Sequence, residues 1–301
     1  MSDNTTTRCG LVAVLGAPNA GKSTLVNQLV GQKVAITSAK AQTTRARMMG
    51  IALHGDTQMI LVDTPGIFAP KRRLDRAMVS AAWEGAEAAD AVLLLVDPIK
   101  QRRHELEPLV EQIAARPERK ILVLNKVDAA KKEPLLALAQ ELTDKVQFSE
   151  VFFVSALTGD GVPEMKEALA SLMPEGPWHY PEDQVSDASE RLLATEITRE
   201  QLYKQLHEEL PYDSAVRPEK YIQRKDGSVE IHQQIVVMRD NQRAIVLGKG
   251  GSRIKAIGEA ARKELSEMLG QKVHLFLHVK TDERWSEDKE MFEEMGLDWV
   301  R

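Results

Sequence analysis

Near the start of the chain, Gly16-Ala-Pro-Asn19-Ala20-Gly21-Lys22-Ser23 sets two glycines, a lysine and a hydroxyl at the spacing G-x-x-x-x-G-K-S/T. Glycines in such a run let the backbone curl until successive N–H groups point inward, a geometry that binds phosphate oxygens. An apolar run at 11–15 precedes it and a helical pattern follows, and the helix N-terminus adds its positive end. Lys22 would neutralise the β- and γ-phosphates and Ser23 would ligate Mg²⁺. Gly16, Asn19, Ala20, Gly21 and Thr24 complete the predicted cradle. The spacing G-x-G-x-x-G that a dinucleotide fold requires is absent at this turn.

Three later segments narrow the chemistry. Asp63-Thr-Pro-Gly66 ends the apolar run 59–62, and a carboxylate there suits contact with a phosphate-bound Mg²⁺. Gly66, without a side chain, leaves its N–H free to approach a γ-phosphate. Asn125-Lys126-Val127-Asp128 follows the apolar run 121–124. The Asp128 carboxylate accepts only, so it can receive both N1–H and N2–H₂ of guanine, whereas adenine offers neither donor there. Two charge-assisted bonds of ~1.5–3 kcal/mol each give a preference of order 10²–10⁴ for guanine. Asn125 serves the base N7 or braces its loop, and Lys126 lays its stem on base or ribose. Ser155-Ala156, after the run 151–154, offers backbone N–H to the base carbonyl. GTP or GDP with Mg²⁺ is therefore the expected ligand set. The competing reading is an ATP-driven P-loop enzyme with an RNA-binding appendage, against which Asp128 argues.

Elements of an α/β sheet must hold these segments. Short apolar runs alternate with helical patterns over the first 175 residues, which predicts a mostly parallel sheet with helices on both faces and ligands at the carboxyl ends of its strands. Pro174, Pro177 and Pro181 around Gly176 then break the pattern. The predicted organisation is a nucleotide-binding domain over 1–175, a linker over 176–188, an α+β domain over 189–285 and a tail over 286–301. In the third of these, a helix at 189–209 is followed by strands at 221–224 and 229–238, a helical stretch at 241–246, a helix at 252–269 and a strand at 273–279. The single cysteine, Cys9, excludes an internal disulfide framework and points to a reducing compartment, the cytoplasm. No apolar run reaches ~18 residues, and residues 1–8 lack the apolar region of a signal peptide. His274 and His278 fall on a strand, about 13 Å apart, too far to share a metal.

The net charge of −5 hides a distribution: residues 239–263 hold seven basic and two acidic side chains, while 282–301 hold three basic and eight acidic. Screening over ~8 Å makes that local basic island, rather than the sum, what a phosphate backbone meets. Within it, Gly248-Lys249-Gly250-Gly251 joins two helical stretches and fits the G-x-x-G loop of a KH domain. Absent side chains would let single-stranded RNA lie close, with Lys249, Arg253 and Lys255 holding phosphates. Ile245, Val246, Ile254 and Ile257 would either floor a groove for bases or join the core.

The segments GAPNAGKS, DTPG, NKVD and SA are similar to the motif set of translation-factor-class GTPases. Ala41-Gln-Thr43-Thr44-Arg45 resembles the first switch of the Era family, whose Mg²⁺-ligating threonine falls on Thr43 or Thr44; Thr44, directly before the arginine, is favoured. The second half resembles a type II KH domain, and Tyr180-Pro-Glu-Asp183, Glu196-Ile-Thr-Arg-Glu200, Glu209-Leu-Pro-Tyr212 and Glu259-Ala-Ala-Arg262 extend the resemblance to the Era family over residues 8–285. The resemblance implies a monomeric GTPase with Ser23, Thr44 and Asp63 on Mg²⁺ and with Lys22, Thr44, Gly66 and Asn19 as its catalytic set. It also implies binding to the 3′ end of small-subunit ribosomal RNA, assistance to 30S assembly, and peripheral membrane contact. Ile67 and Phe68 stand where many small GTPases carry a water-orienting glutamine, which implies slow turnover. Asn19 matches the asparagine associated with K⁺ in this wider group.

Overall fold

The computed structural model describes residues 6–38, 40, 42–45, 47–100 and 103–300. Ala41 of the switch-like segment and the first five residues lie outside the described ones. Two compact units divide between Asp187 and Ala188.

In the first unit the apolar runs become strands. Its elements are β1 (Arg8–Gly16), α1 (Lys22–Val30), β2 (Met48–His54), β3 (Thr57–Asp63), α2 (Arg73–Glu87), β4 (Ala91–Val96), α3 (Arg103–Ala114), β5 (Arg119–Leu124), α4 (Lys132–Lys145), β6 (Glu150–Phe153) and α5 (Val162–Leu172). The sheet runs β2-β3-β1-β4-β5-β6. All neighbours are parallel except β2, which pairs antiparallel with β3. Side chains alternate between faces: Val12, Val14, Leu93, Leu95, Ile121 and Val123 share one core cluster with residues of α1 and α5. Ala13, Leu15, Val92, Leu94, Leu122 and Leu124 share the other with residues of α2, α3 and α4. Both faces are dry, so these strands read as continuous apolar runs.

Residues 174–187, rich in proline, form neither helix nor named strand and turn at Pro181–Gln184, where Gln184 donates to the Pro181 carbonyl, and they are bonded along the first unit rather than free of it. Cys9 and Gly176 donate backbone N–H to Pro174 and Thr7. The fully buried Gln58 side chain accepts from the N–H of His179 and Tyr180 at 2.9 and 3.0 Å and donates to the Tyr180 carbonyl at 2.9 Å. Ile51 donates to the Val185 carbonyl and Met49 to the Asp187 carboxylate. The segment thereby covers the outer edge of β2, which would otherwise offer unpaired strand groups.

The second unit contains α6 (Glu190–Gln205), β7 (Ser214–Gln223), β8 (Val229–Val237), α7 (Asp240–Leu247), α8 (Ser252–Leu269), β9 (Val273–Thr281) and α9 (Lys289–Glu294). Its sheet runs β7-β8-β9, with β7 antiparallel and β9 parallel to β8. Strand β7 begins seven residues before the predicted 221. Pro218 hides that start, and it is tolerated because β7 is an edge strand and the register shifts between Pro218 and Lys220. Leu202, Leu206, Ile235, Val237, Val246 and Ile257 belong to its core. The acidic C-terminal stretch packs down on this unit: Trp285, Met291 and Phe292 are buried, and Arg217 bridges Glu294 at 3.0 Å and Glu290 at 2.5 Å.

Candidate nucleotide site and nucleic-acid interface

Strand register brings the loops of the first unit to one edge. Val14 pairs with Asp63, Gly16 with Leu95, and Val96 with Leu124, so the turns after β1, β3, β4 and β5 emerge side by side. They enclose a cavity of about 330 Å³ lined by, among others, Asn19, Gly21, Lys22, Ser23, Thr24, Thr44, Gly66, Asn125, Lys126, Asp128 and Ala156. Gly16, Ala20, Asp63 and Ser155 stand behind this lining. The sequence reading did not single out Lys100 and Leu157, which line the same cavity.

The turn after β1 leads directly into α1, whose N-terminus carries no acidic residue. Gly21 sits at φ +101°, and a Cβ there would lie 2.2 Å from the Asn125 amide nitrogen, so both backbone and space demand glycine. The Lys22 ammonium is buried and donates to the carbonyls of Gly16 and Ala17 at 3.2 and 2.9 Å. Burial lowers its pKa to about 8, with Asp63 pulling it partly back.

Three oxygens converge beside it. Ser23 Oγ lies 2.8 Å from Thr44 Oγ1 and donates to Asp63 Oδ2 at 2.7 Å, and Thr44 Oγ1 donates to the same oxygen at 3.4 Å. Two hydroxyls and a carboxylate are the hard oxygen donors that would hold Mg²⁺. Of the two candidate threonines, Thr44 joins this group, while Thr43 Oγ1 donates to the Lys40 carbonyl at 2.7 Å. Among the described residues no cluster of three His, Cys, Asp or Glu is placed to hold a metal. Ile67 donates its N–H to the Gly16 carbonyl at 3.0 Å.

The base-side residues show a division of labour. Asn125 braces: its amide donates to the Ala20 carbonyl at 2.8 Å and accepts the Ala156 N–H at 2.9 Å. The Ala156 N–H expected to face a base carbonyl is thus engaged by Asn125, and the Ser155 hydroxyl caps its own turn by accepting from Thr158 N–H. Asp128 lines the cavity. Lys126, at φ +64°, donates to the Asn19 carbonyl at 2.9 Å and pairs with Asp97 at 2.5 Å. Asp97 is a buried residue that the sequence reading missed. Burial raises its pKa, but bonds from Lys126 and from the N–H of Ile99 and Lys100 outweigh this and hold it below the usual range.

In the second unit, α7 and α8 meet at the glycine loop. Gly248 closes α7 at φ +71°, and a Cβ there would lie 2.8 Å from Arg253 Cβ. Lys249–Gly251 form a single 3₁₀ turn. Lys249, Gly250 and Lys255 are exposed, and Arg253 is half-buried. The four neighbouring apolar side chains divide: Val246 and Ile257 are core, Ile254 packs against it, and Ile245 is 47% exposed.

This fold and this edge of loops define a P-loop GTPase domain followed by a KH domain. A family model described as "50S ribosome-binding GTPase" matches residues 11–126, and one described as "KH domain" matches residues 209–286. The chain is 84% identical over 298 residues to GTPase Era of Erythrobacter litoralis (strain HTCC2594), covering 98% of each chain. It is 56% identical to GTPase Era of Bradyrhizobium sp. (strain BTAi1), covering 98% of this chain and 96% of that one. The chain belongs to the GTPase Era family. Among solved structures it is similar to Era in complex with MgGDPNP and nucleotides 1506–1542 of 16S ribosomal RNA (36% identity, TM-score 0.92, 96% of this chain and 99% of that one). A variant of Aquifex aeolicus Era bound to GDP·AlF4⁻ matches with 36% identity and a TM-score of 0.91, covering 96% and 99%.

Proposed function

We propose that this GTPase binds GTP and GDP in the cavity at the sheet edge, and that its KH unit holds the 3′ region of 16S ribosomal RNA in support of 30S assembly. The convergence of Ser23, Thr44 and Asp63 beside Lys22 supports the nucleotide half of this reading. The relative solved with MgGDPNP and a 16S fragment supports the RNA half.

The residue roles follow from the geometry. N–H groups from Asn19 to Thr24 and the Lys22 ammonium meet the phosphates, the lysine exchanging two backbone carbonyls for phosphate oxygens. Ser23 and Thr44, with Asp63 behind them, hold Mg²⁺. When bound, that ion neutralises charge developing between the β- and γ-phosphates. Gly66 offers its N–H at the γ-phosphate, and Asp128 reads guanine. Ile67 and Phe68 carry no group to orient water, so backbone donors do so and intrinsic turnover is slow. Asn19 would hold K⁺, whose charge would assist hydrolysis there; turnover higher in K⁺ than in Na⁺ at equal ionic strength is the expected result, and equal rates would refute it. Gly248, Lys249, Gly250, Gly251, Arg253 and Lys255 grip the RNA backbone.

The chain is proposed to act as a cytoplasmic monomer, with peripheral membrane contact; among the described residues no helix is long and apolar enough to cross a membrane. Competition of GTP against ATP, repeated with Asp128→Asn, tests base recognition: the wild type should reject ATP, and the variant should lose guanine. Binding of an RNA spanning 16S nucleotides 1506–1542 tests the second unit. Gly250→Asp should abolish it, and unchanged affinity would turn the reading toward a protein partner.

A further inference from the structure

The side chain of Lys126 is held from two sides, and the holder is absent from every motif. We propose that Asp97 is a positioning residue for guanine-nucleotide binding: through Lys126 it sets the wall of the base slot and ties that slot to the phosphate loop at Asn19. The assignment rests on the nucleotide reading above.

Asp97 follows β4 directly and is 4% exposed. One carboxylate oxygen accepts Lys126 Nζ at 2.5 Å, and the other accepts the N–H of Ile99 at 2.9 Å and of Lys100 at 3.1 Å. A carboxylate shared among three donors cannot turn without giving one up. The same Lys126 ammonium donates to the Asn19 carbonyl at 2.9 Å. Asn19 and Lys126 are both non-glycine residues in the left-handed region, at φ +63° and +64°. Such a backbone persists only where its surroundings over-determine it. Here one ammonium joins the two strained loops, and one buried carboxylate fixes that ammonium.

Lys100 and Lys126, both bonded to Asp97, line the nucleotide cavity. Without the carboxylate, the ammonium has no buried counter-charge and is better solvated outside, and its four-carbon stem leaves the wall with it. The loss would fall chiefly on base and ribose, since the phosphate cradle of residues 16–24 loses its tie at Asn19 but keeps its own backbone bonds and the Asn125 brace at Ala20.

Asp97→Asn separates this role from a merely structural one, because the amide oxygen still accepts from Ile99 and Lys100 and only the charge pair is lost. The experiment is stopped-flow release of a fluorescent GDP from the full chain, for wild type, D97N, K126M and the double variant. Release should be roughly tenfold faster in D97N, the equivalent of one charge-assisted bond. Affinity for inorganic pyrophosphate, which meets the phosphate loop without the base slot, should fall by less than that for GDP, and the double variant should release no faster than K126M. Asp97→Glu, which keeps the charge, should fall between wild type and D97N; it carries the same cycle if D97N does not fold. Normal release from D97N, multiplying effects in the double variant, or a parallel loss of pyrophosphate affinity would overturn the assignment while leaving the nucleotide reading intact. A wild type that takes up no GDP would overturn both.

Discussion

Truncating Asn125 to alanine should destabilise the first unit before any nucleotide is added. The side chain is 2% exposed and holds two loops at once, through the Ala20 carbonyl at 2.8 Å and the Ala156 N–H at 2.9 Å. Both partners are buried residues, so neither group regains water when the amide is removed. Each orphaned group costs ~1–3 kcal/mol, and a total of about 3 kcal/mol follows if relaxation recovers part of it. For a unit of this size that corresponds to a fall of roughly 6–12 °C in Tm. Urea unfolding of nucleotide-free wild type and Asn125→Ala, with equal m-values, measures the difference directly. A residue whose only work is to meet the base N7 would leave nucleotide-free stability untouched, so a difference below ~0.5 kcal/mol, the scatter of ordinary surface substitutions, would refute the brace. A coupled variant sharpens the test. In Gly21→Ala the new Cβ would lie 2.2 Å from the Asn125 amide nitrogen. Once Asn125 is alanine that collision is gone, and the Gly21→Ala penalty should shrink to the strain of positive φ, about 1–2 kcal/mol.

Three further outcomes are expected. Gly66→Ala places a Cβ 2.7 Å from the Pro18 nitrogen and 2.8 Å from its Cα; displacement of the phosphate loop should weaken GDP in a fluorescence titration by more than tenfold, and unchanged affinity would deny that close approach any role. Thr44→Ala should remove most of the Mg²⁺ dependence of triphosphate binding while Thr43→Ala keeps it, since only Thr44 touches Ser23 and Asp63; equal effects would contradict the choice between them. Gln58→Ala loses three bonds to His179 and Tyr180, so chymotrypsin should cut at Trp178 about ten to thirty times faster, the consequence of ~1.5–2 kcal/mol easier local opening; cleavage at the wild-type rate would show that other contacts hold the segment.

The parts of the site written in consecutive residues were legible, and those assembled by strand register were not. A phosphate cradle is made of backbone amides in one turn, so its glycines, lysine and hydroxyl must be neighbours in the chain. Asp97 and Lys126 are 29 residues apart, and an acid after an apolar run is too common to signal anything alone. The same limit applies to Asn125, for which two roles remain open until Ala20 and Ala156 are seen on either side of it. Strand β2 escaped because Gly50 interrupts its apolar residues and its pairing partner, β3, lies beyond a turn. The four apolar residues around the glycine loop divide between core and surface only once α7 and α8 are packed. A linker over 176–188 was legible from its prolines, but the place of residues 174–187 along the first unit depends on Gln58, a polar side chain that no hydrophobic pattern would assign to an interior.

Register also explains why these distant residues meet at all. Val96 lies opposite Leu124 in the parallel pair β4–β5, so the next residue on each strand, Asp97 and Asn125, leaves the sheet at the same height. Slipping that pair by one residue would turn the side chains of one strand to the opposite face. Asp97 could then no longer face the loop that carries Lys126, and Asn125 would lose the height at which it spans Ala20 and Ala156. The apolar faces of β4 and β5 forbid the slip, because either Leu93 and Leu95 would exchange places with Val92 and Leu94, or Ile121 and Val123 with Leu122 and Leu124, between the two cores. The energy that selects the register is hydrophobic and lies along the strands. The chemistry it positions is polar and begins one residue beyond their ends.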